Sequence, residues 1–180
     1  MLNHKGTNTM KTERLTLRPM IESDAQAYFT KLVNDKEVLR YTAWPYHEKV
    51  EQTEEMVKNW IKNYTKPMLY NWAVALDDDL IGTFTVYRIY EDECAMEIGY
   101  CFGKDHWNKG YATEAAKAVV EYLIKEIGAK KVVISYADKN PASGRVAQKC
   151  GFQYVKTEEN AFTTRDGEVT NVIEYELIVE

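Results

Sequence analysis

The fold of this chain is decided by residues 106–116, HWNKGYATEAA, a short loop with one glycine that leads directly into a helix. Beyond the loop, small and apolar residues recur at intervals of three and four, the spacing of one buried helix face. They are Ala115, Ala116, Val119, Val120, Leu123, Ile124 and Ile127. Gly128 follows as the predicted end of the helix. Upstream, Ala95–Phe102 has the composition of a strand, so the predicted order is strand, glycine loop, helix.

This order predicts a site for an anion at the start of the helix. The first-turn amides of a helix have no intrahelical partner and point at the preceding loop, where a phosphate can bind. Gly110 has no Cβ, which lets the backbone close on a bulky phosphate. The loop is neither a P-loop nor a three-glycine dinucleotide fingerprint. An ordinary strand-to-helix connection that happens to hold a glycine remains the alternative.

Two segments carry a resemblance to a known family. Residues 107–115, WNKGYATEA, resemble the pyrophosphate loop of the GNAT N-acetyltransferases, Gln/Arg-x-x-Gly-x-Gly/Ala, and most closely that of the RimJ/RimL type, the ribosomal-protein N-terminal acetyltransferases. Trp107 stands where many members carry Gln or Arg, a departure common in this branch. Residues 140–143, NPAS, with Gly151 and Phe152, resemble the family's Asn-x-x-Ser…Gly-Phe segment. The resemblance spans nearly the whole chain.

The resemblance implies the GNAT fold, an α/β (α+β) domain whose central sheet is mixed, mostly antiparallel and flanked by helices. The predicted element order agrees, because strands come first and strand-helix units follow. It also implies acetyl-CoA as co-substrate, with a pseudo-strand pairing between its pantetheine arm and the strand before the loop. The implied cofactor-binding residues are Tyr100, Cys101, Phe102, Trp107, Asn108, Lys109, Gly110, Tyr111, Ala112, Thr113, Asn140 and Ser143.

Composition sets limits on the class of protein. A chain of 180 residues with 45% hydrophobic residues suits one domain, which we expect over residues 11–180. Residues 1–10 are expected to be a disordered extension, with Met10 as an alternative start. The net charge of −5 argues against a nucleic-acid binder. With no long apolar window and no signal core, we expect a cytoplasmic protein that does not bind membranes, either a monomer or a homodimer.

No metal site is expected. The three cysteines have no Cys-x-x-Cys spacing, so neither a disulfide framework nor a zinc site is indicated. The run Asp77-Asp78-Asp79 favours a solvated hairpin turn over a metal site.

The proposed reaction is direct transfer of an acetyl group to a primary amine. An α-amine, with a pKa of about 7.7–8.0, is partly neutral at pH 7, whereas a lysine amine at about 10.4 requires roughly 4 kcal/mol more for deprotonation. A protein or peptide N-terminus is therefore the favoured acceptor. The alternatives are a small-molecule amine, such as an aminoglycoside, a polyamine or an amino acid, and a non-catalytic module that only binds acyl-CoA.

Glu97 and Ser143 are the predicted catalytic residues. Glu97 lies on the strand before the loop, where some family members place an acidic residue facing the acceptor, and it is the candidate general base. The alternative is a solvated or paired strand carboxylate. Ser143 is implied to lie near the sulfur and to protonate the departing thiolate, while Asn140 contacts the pantetheine arm. The alternative is that Asn140 only caps its helix.

The remaining candidate residues concern the acceptor site and alternative catalytic roles. Trp44 and Tyr46 lie in an aromatic loop that resembles the wall of the acceptor site, and with Glu97 they are the predicted substrate-binding residues. The alternative is an aromatic lid on the core. We favour a core thiol over an acyl-enzyme role for Cys101, and we rank His47 and His106 below Glu97 as bases because each is a lone loop histidine.

Overall fold

The computed structural model describes residues 1–179, and within them eight strands form one continuous sheet. The strands are β1 (Met10–Lys11), β2 (Leu15–Arg18), β3 (Asn71–Leu76), β4 (Asp79–Tyr90), β5 (Ala95–Phe102), β6 (Lys131–Ala137), β7 (Gln153–Thr163) and β8 (Val169–Ile178). Their spatial order is β1-β2-β3-β4-β5-β6-β8-β7. All neighbours are antiparallel except β5 and β6, which are parallel. The predicted mixed, mostly antiparallel sheet is confirmed.

Four α-helices flank this sheet among residues 1–179. They are α1 (Asp24–Tyr28), α2 (Val50–Asn63), α3 (Tyr111–Tyr122) and α4 (Pro141–Lys149). A π-helical turn extends α1 over Phe29–Val33, and another extends α3 over Leu123–Ile127. The apolar face predicted for α3 is buried except for Ile124, which is partly exposed. Gly128, with φ +81°, ends the helix as predicted.

Apolar residues on both faces of the sheet are covered, because side chains along a strand alternate between faces. Trp72 and Phe102 pack in a cluster that includes the buried face of α3. Their neighbours Ala73 and Cys101 pack in a second cluster with residues of α1 and α2. β5 is therefore buried on both faces, and this packing fixes the positions of its candidate site residues.

The parallel strands β5 and β6 separate partway along their length. They pair from Ala95 opposite Lys131 to Ile98 opposite Ile134, and no further. β5 continues to Phe102 and β6 continues to Ala137, so both strands extend beyond the paired segment. Beyond Ile98, β5 keeps its partner on the β4 side but has none on the β6 side. This leaves an open edge of backbone groups on β5 between the two strands.

The first residues of the chain differ from the expected disordered extension. Leu2 is 6% exposed and belongs to the core cluster beneath α3. Thr7 Oγ1 donates to the carbonyl of Leu69 at 2.8 Å, and the indole N–H of Trp72 donates to the carbonyl of Asn8 at 2.8 Å. The segment forms no helix or strand before Met10, and its order comes from single contacts with residues far along the chain.

The last two strands, β7 and β8, form one long hairpin around a turn at Asp166-Gly167. The pairing is interrupted by irregularities between Tyr154 and Lys156 and between Glu158 and Phe162. Because β7 is an exposed edge strand, few buried apolar residues mark its alternation in the sequence.

Candidate active site

A cavity of about 520 Å³ lies against the end of β5, the part that extends beyond its pairing with β6. Its other walls come from the glycine loop, the first turn of α3, one side of α4 along its whole length, and the segment after α1. Of the predicted cofactor residues, those that line it are Tyr100, Cys101, Phe102, Trp107, Asn108, Gly110, Tyr111, Ala112, Thr113, Asn140 and Ser143. Lys109 is exposed and does not line it. The fold thus brings the loop around Gly110 together with the segment around Asn140, about 30 residues further along the chain. This is the length of one strand-helix-strand unit.

The glycine loop presents the start of α3 to this cavity. Gly110 has φ +84° and Asn108 has φ +59°, a left-handed backbone that turns the chain into the helix. The amide of Glu114, which donates to the Gly110 carbonyl at 3.0 Å, makes the first helical hydrogen bond. The preceding helical amides, at positions 111–113, have no acceptor within the helix and are free for an anion.

Two side chains hold the loop in place. The indole N–H of Trp107 donates to the carbonyl of Phe102, the last residue of β5, at 2.7 Å. Arg14 Nη1 donates to the carbonyl of Lys109 at 3.1 Å, and its guanidinium lies 4.5 Å from the centroid of the Tyr111 ring. Trp107 therefore anchors the loop to the strand, which gives a structural use to the residue that departs from the family pattern. Arg14 was missed by the sequence analysis because nothing local connects it to the loop.

Two cations on α4 face the same cavity and were also missed. Arg145 and Lys149 are four residues apart, the spacing that places side chains on one helix face. Both are exposed and line the cavity. Across residues 1–179 neither forms an ion pair with a carboxylate, unlike many of the other surface cations. Their charges are available to an anionic ligand, and the i, i+4 spacing was the signal that could have found them.

Asn140 and Ser143 form a hydrogen-bonded pair at the start of α4. Asn140 occupies the N-cap position, but its side chain makes no capping hydrogen bond. Its amide instead donates to Ser143 Oγ at 3.1 Å. The hydroxyl of Tyr100 donates to the backbone carbonyl of Ser143 at 3.5 Å, and burial raises the pKa of Tyr100, which keeps the phenol protonated. The cavity therefore holds two hydroxyl groups that carry a proton at neutral pH.

Glu97 is buried, with 3% of its surface exposed, and it does not line the cavity. Four side chains donate to its carboxylate, and their distances are 2.7 Å for Ser135 Oγ, 3.2 Å for the Tyr90 hydroxyl and 3.3 Å for Arg88 Nη1, with Tyr87 as the fourth. Of the two forms of the alternative, solvated or paired, the structure has the paired one. Glu97 lies just before the point where β5 and β6 separate.

The predicted acceptor wall lies elsewhere. Trp44 and Tyr46 pack against the cluster beneath α1 and α2 and do not line the cavity, as the aromatic-lid alternative expects. Arg40, Tyr41 and Thr42, just before them in the chain, line it instead.

Arg40 connects the cavity wall to the turn of the last hairpin. Its Nη2 lies 3.1 Å from Glu168 Oε2 and 3.3 Å from Asp166 Oδ2. Arg40 thus joins the segment after α1 to the β7–β8 turn at the edge of the cavity. A sequence pattern could not have found this contact, since the partners are more than 120 residues apart.

The three remaining candidates from the sequence, Cys101, His47 and His106, differ in burial and in access to the cavity. Cys101 belongs to the second core cluster, and burial raises the pKa of its thiol, which disfavours an acyl-enzyme. The imidazole of His47 is buried against Thr53 Oγ1 at 2.7 Å, and burial lowers its pKa. His106 lines the cavity, and its pKa is lowered by burial and by Lys31 and Lys109. Of the two histidines, only His106 is placed to contact a ligand there.

The described residues hold no metal-binding group. Within residues 1–179, no three His, Cys, Asp or Glu side chains are gathered as metal ligands would be. The three aspartates at positions 77–79 form a turn, with Asp77 and Asp78 at positive φ and Asp79 opening β4, as predicted for a hairpin. No helix in the described part of the chain has both the length and the apolarity to cross a membrane.

Taken together, the diverging parallel strands, the free helix amides and the unpaired cations define a protein that binds a phosphate-bearing ligand with an extended arm. A family model described as "Acetyltransferase (GNAT) domain" matches residues 14–153. This protein therefore belongs to the GNAT acetyltransferases and is an acetyltransferase.

Three similar proteins illustrate the relationship. The Bacillus subtilis (strain 168) protein named "Uncharacterized N-acetyltransferase YoaA" is 32% identical over 80% of this chain and 82% of its own. The "Ribosomal-protein-serine acetyltransferase" of Escherichia coli (strain K12) is 25% identical over 81% of this chain and 83% of its own. The structure of RimL, a "Ribosomal L7/L12 alpha-N-protein acetyltransferase" in complex with coenzyme A, has a TM-score of 0.85 at 20% identity, covering 96% and 98% of the two chains.

Proposed function

We propose that this protein transfers the acetyl group of acetyl-CoA directly to the α-amine of a protein or peptide N-terminus, as an enzyme of the RimJ/RimL type. The co-substrate is acetyl-CoA. The observation that carries the proposal is the unpaired edge of β5 beyond Ile98, which leads from the free amides of α3 towards Glu97. Acetyl-CoA has a phosphate end, an arm with amide groups and a reactive thioester. These three parts match, in that order, the amides of α3, the unpaired edge of β5 and the region near Glu97.

The cofactor end of the site suits coenzyme A. The free first-turn amides of α3 are placed for the pyrophosphate, and Arg145 and Lys149 supply positive charge on the facing helix. The backbone of β5 from Gly99 to Phe102 would pair with the amides of the pantetheine arm in the way an added strand pairs with a sheet edge. Asn140, whose side-chain oxygen is not used as a cap, could accept a further hydrogen bond there.

The chemistry requires a polarised carbonyl and a proton for the leaving sulfur. A backbone N–H of the open β5 edge would polarise the thioester carbonyl. The amine nitrogen then bonds to the carbonyl carbon, the carbon–sulfur bond breaks, and the thiolate takes a proton. Ser143 is the proposed donor because Asn140 donates to its oxygen, which leaves the hydroxyl hydrogen free and more acidic. One proton of the ammonium passes to Glu97 before the nitrogen bonds to carbon. The second N–H proton is released to solvent after that bond forms, and Ser143 regains from solvent the proton that it gave to the sulfur.

The acceptor assignment rests on the amine's acidity and on the relatives. An α-amine with a pKa of about 7.7–8.0 is deprotonated by a modest base, whereas a lysine amine at about 10.4 needs much more assistance. The proposed base is Glu97, whose carboxylate accepts hydrogen bonds from four side chains. Two similar proteins are named for acetylating ribosomal proteins, one of them at an α-amine.

A thiol-release assay tests the proposal. The protein is incubated with acetyl-CoA and a panel of peptides with free N-termini, blocked peptides carrying one lysine, and small amines, and free coenzyme A is measured at pH 7. We expect the free-N-terminus peptides to react fastest. Preference for a polyamine, an aminoglycoside or a lysine contradicts the acceptor assignment. A thermal shift with acetyl-CoA but no thiol release with any amine indicates a binding module instead.

A further inference from the structure

The carboxylate of Glu97 is covered by the side chains that donate hydrogen bonds to it. Its carboxylate is 3% exposed, and three of its four hydrogen-bond donors are hydroxyl groups, from Tyr87, Tyr90 and Ser135. Arg88 is the fourth donor. An acceptor amine that must give a proton to Glu97 therefore meets one of these hydroxyls first.

Tyr87 is the hydroxyl best placed for that contact. Tyr87 is 46% exposed as a residue, whereas Glu97, to which its hydroxyl donates, is buried. The pairing of β4 with β5 is irregular between Val86 and Arg88, and this bulge places Tyr87 opposite the point where β5 and β6 separate. A Cβ built on Gly99 would lie 3.2 Å from Cε1 of Tyr87, so the ring covers Gly99, the residue next to cavity-lining Tyr100.

We propose that the Tyr87 hydroxyl relays a proton from the acceptor amine to Glu97. This proposal rests on the proposed function above, since it concerns the path of the same proton. An ammonium N–H bond breaks and its proton bonds to Tyr87 Oη, while the original hydroxyl proton of Tyr87 moves to Glu97 Oε1. The amine becomes neutral, the phenol stays neutral, and Glu97 becomes a carboxylic acid. After the acetylated product leaves, the proton returns to solvent through the same hydroxyl.

The charges around the pair keep the relay in its working form. Burial and the neighbouring Glu97 carboxylate raise the pKa of Tyr87, so the phenol holds its proton throughout the pH range of an assay. Arg88 faces Glu97 from β4, and Ser135 faces it from β6. Glu174 of β8 stands across from Ser135 and pairs with Lys156 of β7 at 3.7 Å. Arg88 is thus the cation in direct contact with the Glu97 carboxylate, at 3.3 Å.

The test compares Tyr87→Phe with Tyr154→Phe. Tyr154 is an exposed tyrosine on β7 whose hydroxyl contacts Thr157, and it neither lines the cavity nor contacts Glu97. We expect Tyr87→Phe to lower kcat/KM at pH 7 by about 10- to 100-fold, with the defect shrinking towards pH 9. Tyr154→Phe should stay close to wild type. Both variants should keep the full thermal shift with acetyl-CoA, which reports that the cofactor site is intact.

A double variant separates a relay from a structural role. If the proton passes through Tyr87 to Glu97, adding Tyr87→Phe to Glu97→Gln causes no further loss, because the two groups act in series. A wild-type pH profile for Tyr87→Phe, alongside a defective Glu97→Gln, contradicts the relay and leaves the proposed function standing. A pH-dependent defect in Ser135→Ala, with none in Tyr87→Phe, would also contradict the relay and leave the proposed function standing. Absence of acetyl transfer by the wild-type protein contradicts the proposed function and the relay with it.

Discussion

Arg14, just before β2, and Glu114, in the first turn of α3, form an ion pair that fixes the start of the helix. Arg14 Nε and Nη2 each lie 2.7 Å from Glu114 Oε2, while the Thr12 hydroxyl and the Arg14 amide donate to Glu114 Oε1 at 2.5 and 2.9 Å. Because Arg14 also donates to the carbonyl of Lys109, the same side chain connects β2's entry to the glycine loop and to the helix. Residues that precede β2, outside the strand-loop-helix unit, thus stabilise the proposed pyrophosphate site.

Glu114→Gln should destabilise the protein in a pH-dependent way. Burial opposes ionisation of Glu114, but the bonds from Thr12 and Arg14 outweigh it and lower its pKa. A depressed carboxylate pKa stabilises the fold above the ordinary value of about 4.3 and ceases to do so as the pH falls through the lowered value. Denaturant unfolding should therefore give a loss of about 1–3 kcal/mol in the free energy of unfolding at pH 7 and a smaller loss below pH 4.

The control for that variant is Glu121→Gln on the same helix. Glu121 pairs with Lys125 one turn on, and both side chains are more than half exposed. Such an exposed pair contributes little to stability, because solvent screens its charges. Equal losses for the two variants would contradict the bracing role of Glu114.

Gly110→Glu should abolish the thermal shift produced by acetyl-CoA. A ligand at 100 times its Kd stabilises the folded state by about 2.7 kcal/mol, and a carboxylate at this position would repel the phosphates. Gly128→Glu is the matched control, because its φ of +81° resembles the +84° of Gly110 and no atom lies near a Cβ built there. Both variants should unfold at lower temperature than wild type without ligand, but only Gly128→Glu should keep the shift. A full shift with Gly110→Glu would place the phosphate site elsewhere.

Neutralising the α4 cations should weaken acetyl-CoA binding. The double variant Arg145→Gln/Lys149→Gln removes two charges that line the cavity and have no carboxylate partner in residues 1–179. We expect Kd, measured by titration calorimetry, to rise by about tenfold at low salt, equal to roughly 1.4 kcal/mol. The wild-type advantage should shrink at high salt, because exposed charges are screened. Lys58→Gln, on α2 and outside the cavity, is the control and should leave Kd unchanged.

Ser143→Ala should lower turnover without an equal change in cofactor affinity. If the Ser143 hydroxyl protonates the thiolate, its removal slows the chemical step by about 10- to 100-fold, and the loss persists at high pH because it does not concern the amine's proton. Ser143→Thr keeps a hydroxyl and should recover part of the rate. Steady-state rates from pH 6 to 9 check this. Equal rates for the alanine variant and the wild type would remove Ser143 from the proton path.

The sequence was sufficient where the structure is set by local pattern. The bounds of β5, the face of α3 and its end at Gly128 follow from side-chain period and backbone preference, which short segments carry in themselves. The two blocks around Gly110 and Ser143 likewise identified part of the cavity wall, but not the segment after α1 or the later turns of α4.

The features that the sequence analysis missed depend on contacts between distant residues. Glu114 is 100 positions from Arg14, and the bulge that aims Tyr87 at Glu97 comes from strand register. The burial of Leu2 depends on a surface built by the rest of the chain. No periodicity encodes such pairings, because each is a single contact whose energy depends on the finished fold.

The most direct test of the proposed function uses one peptide that carries both a free N-terminal α-amine and one lysine. The peptide is incubated with the protein and acetyl-CoA at pH 7 and at pH 9, and fragmentation mass spectrometry locates the acetyl group. At pH 7 the α-amine has about 300 times the neutral fraction of the lysine, so we expect acetyl on the N-terminus alone, with lysine gaining a share at pH 9. Acetyl on the lysine at pH 7, or an unmodified peptide where a small amine is acetylated, would contradict the account.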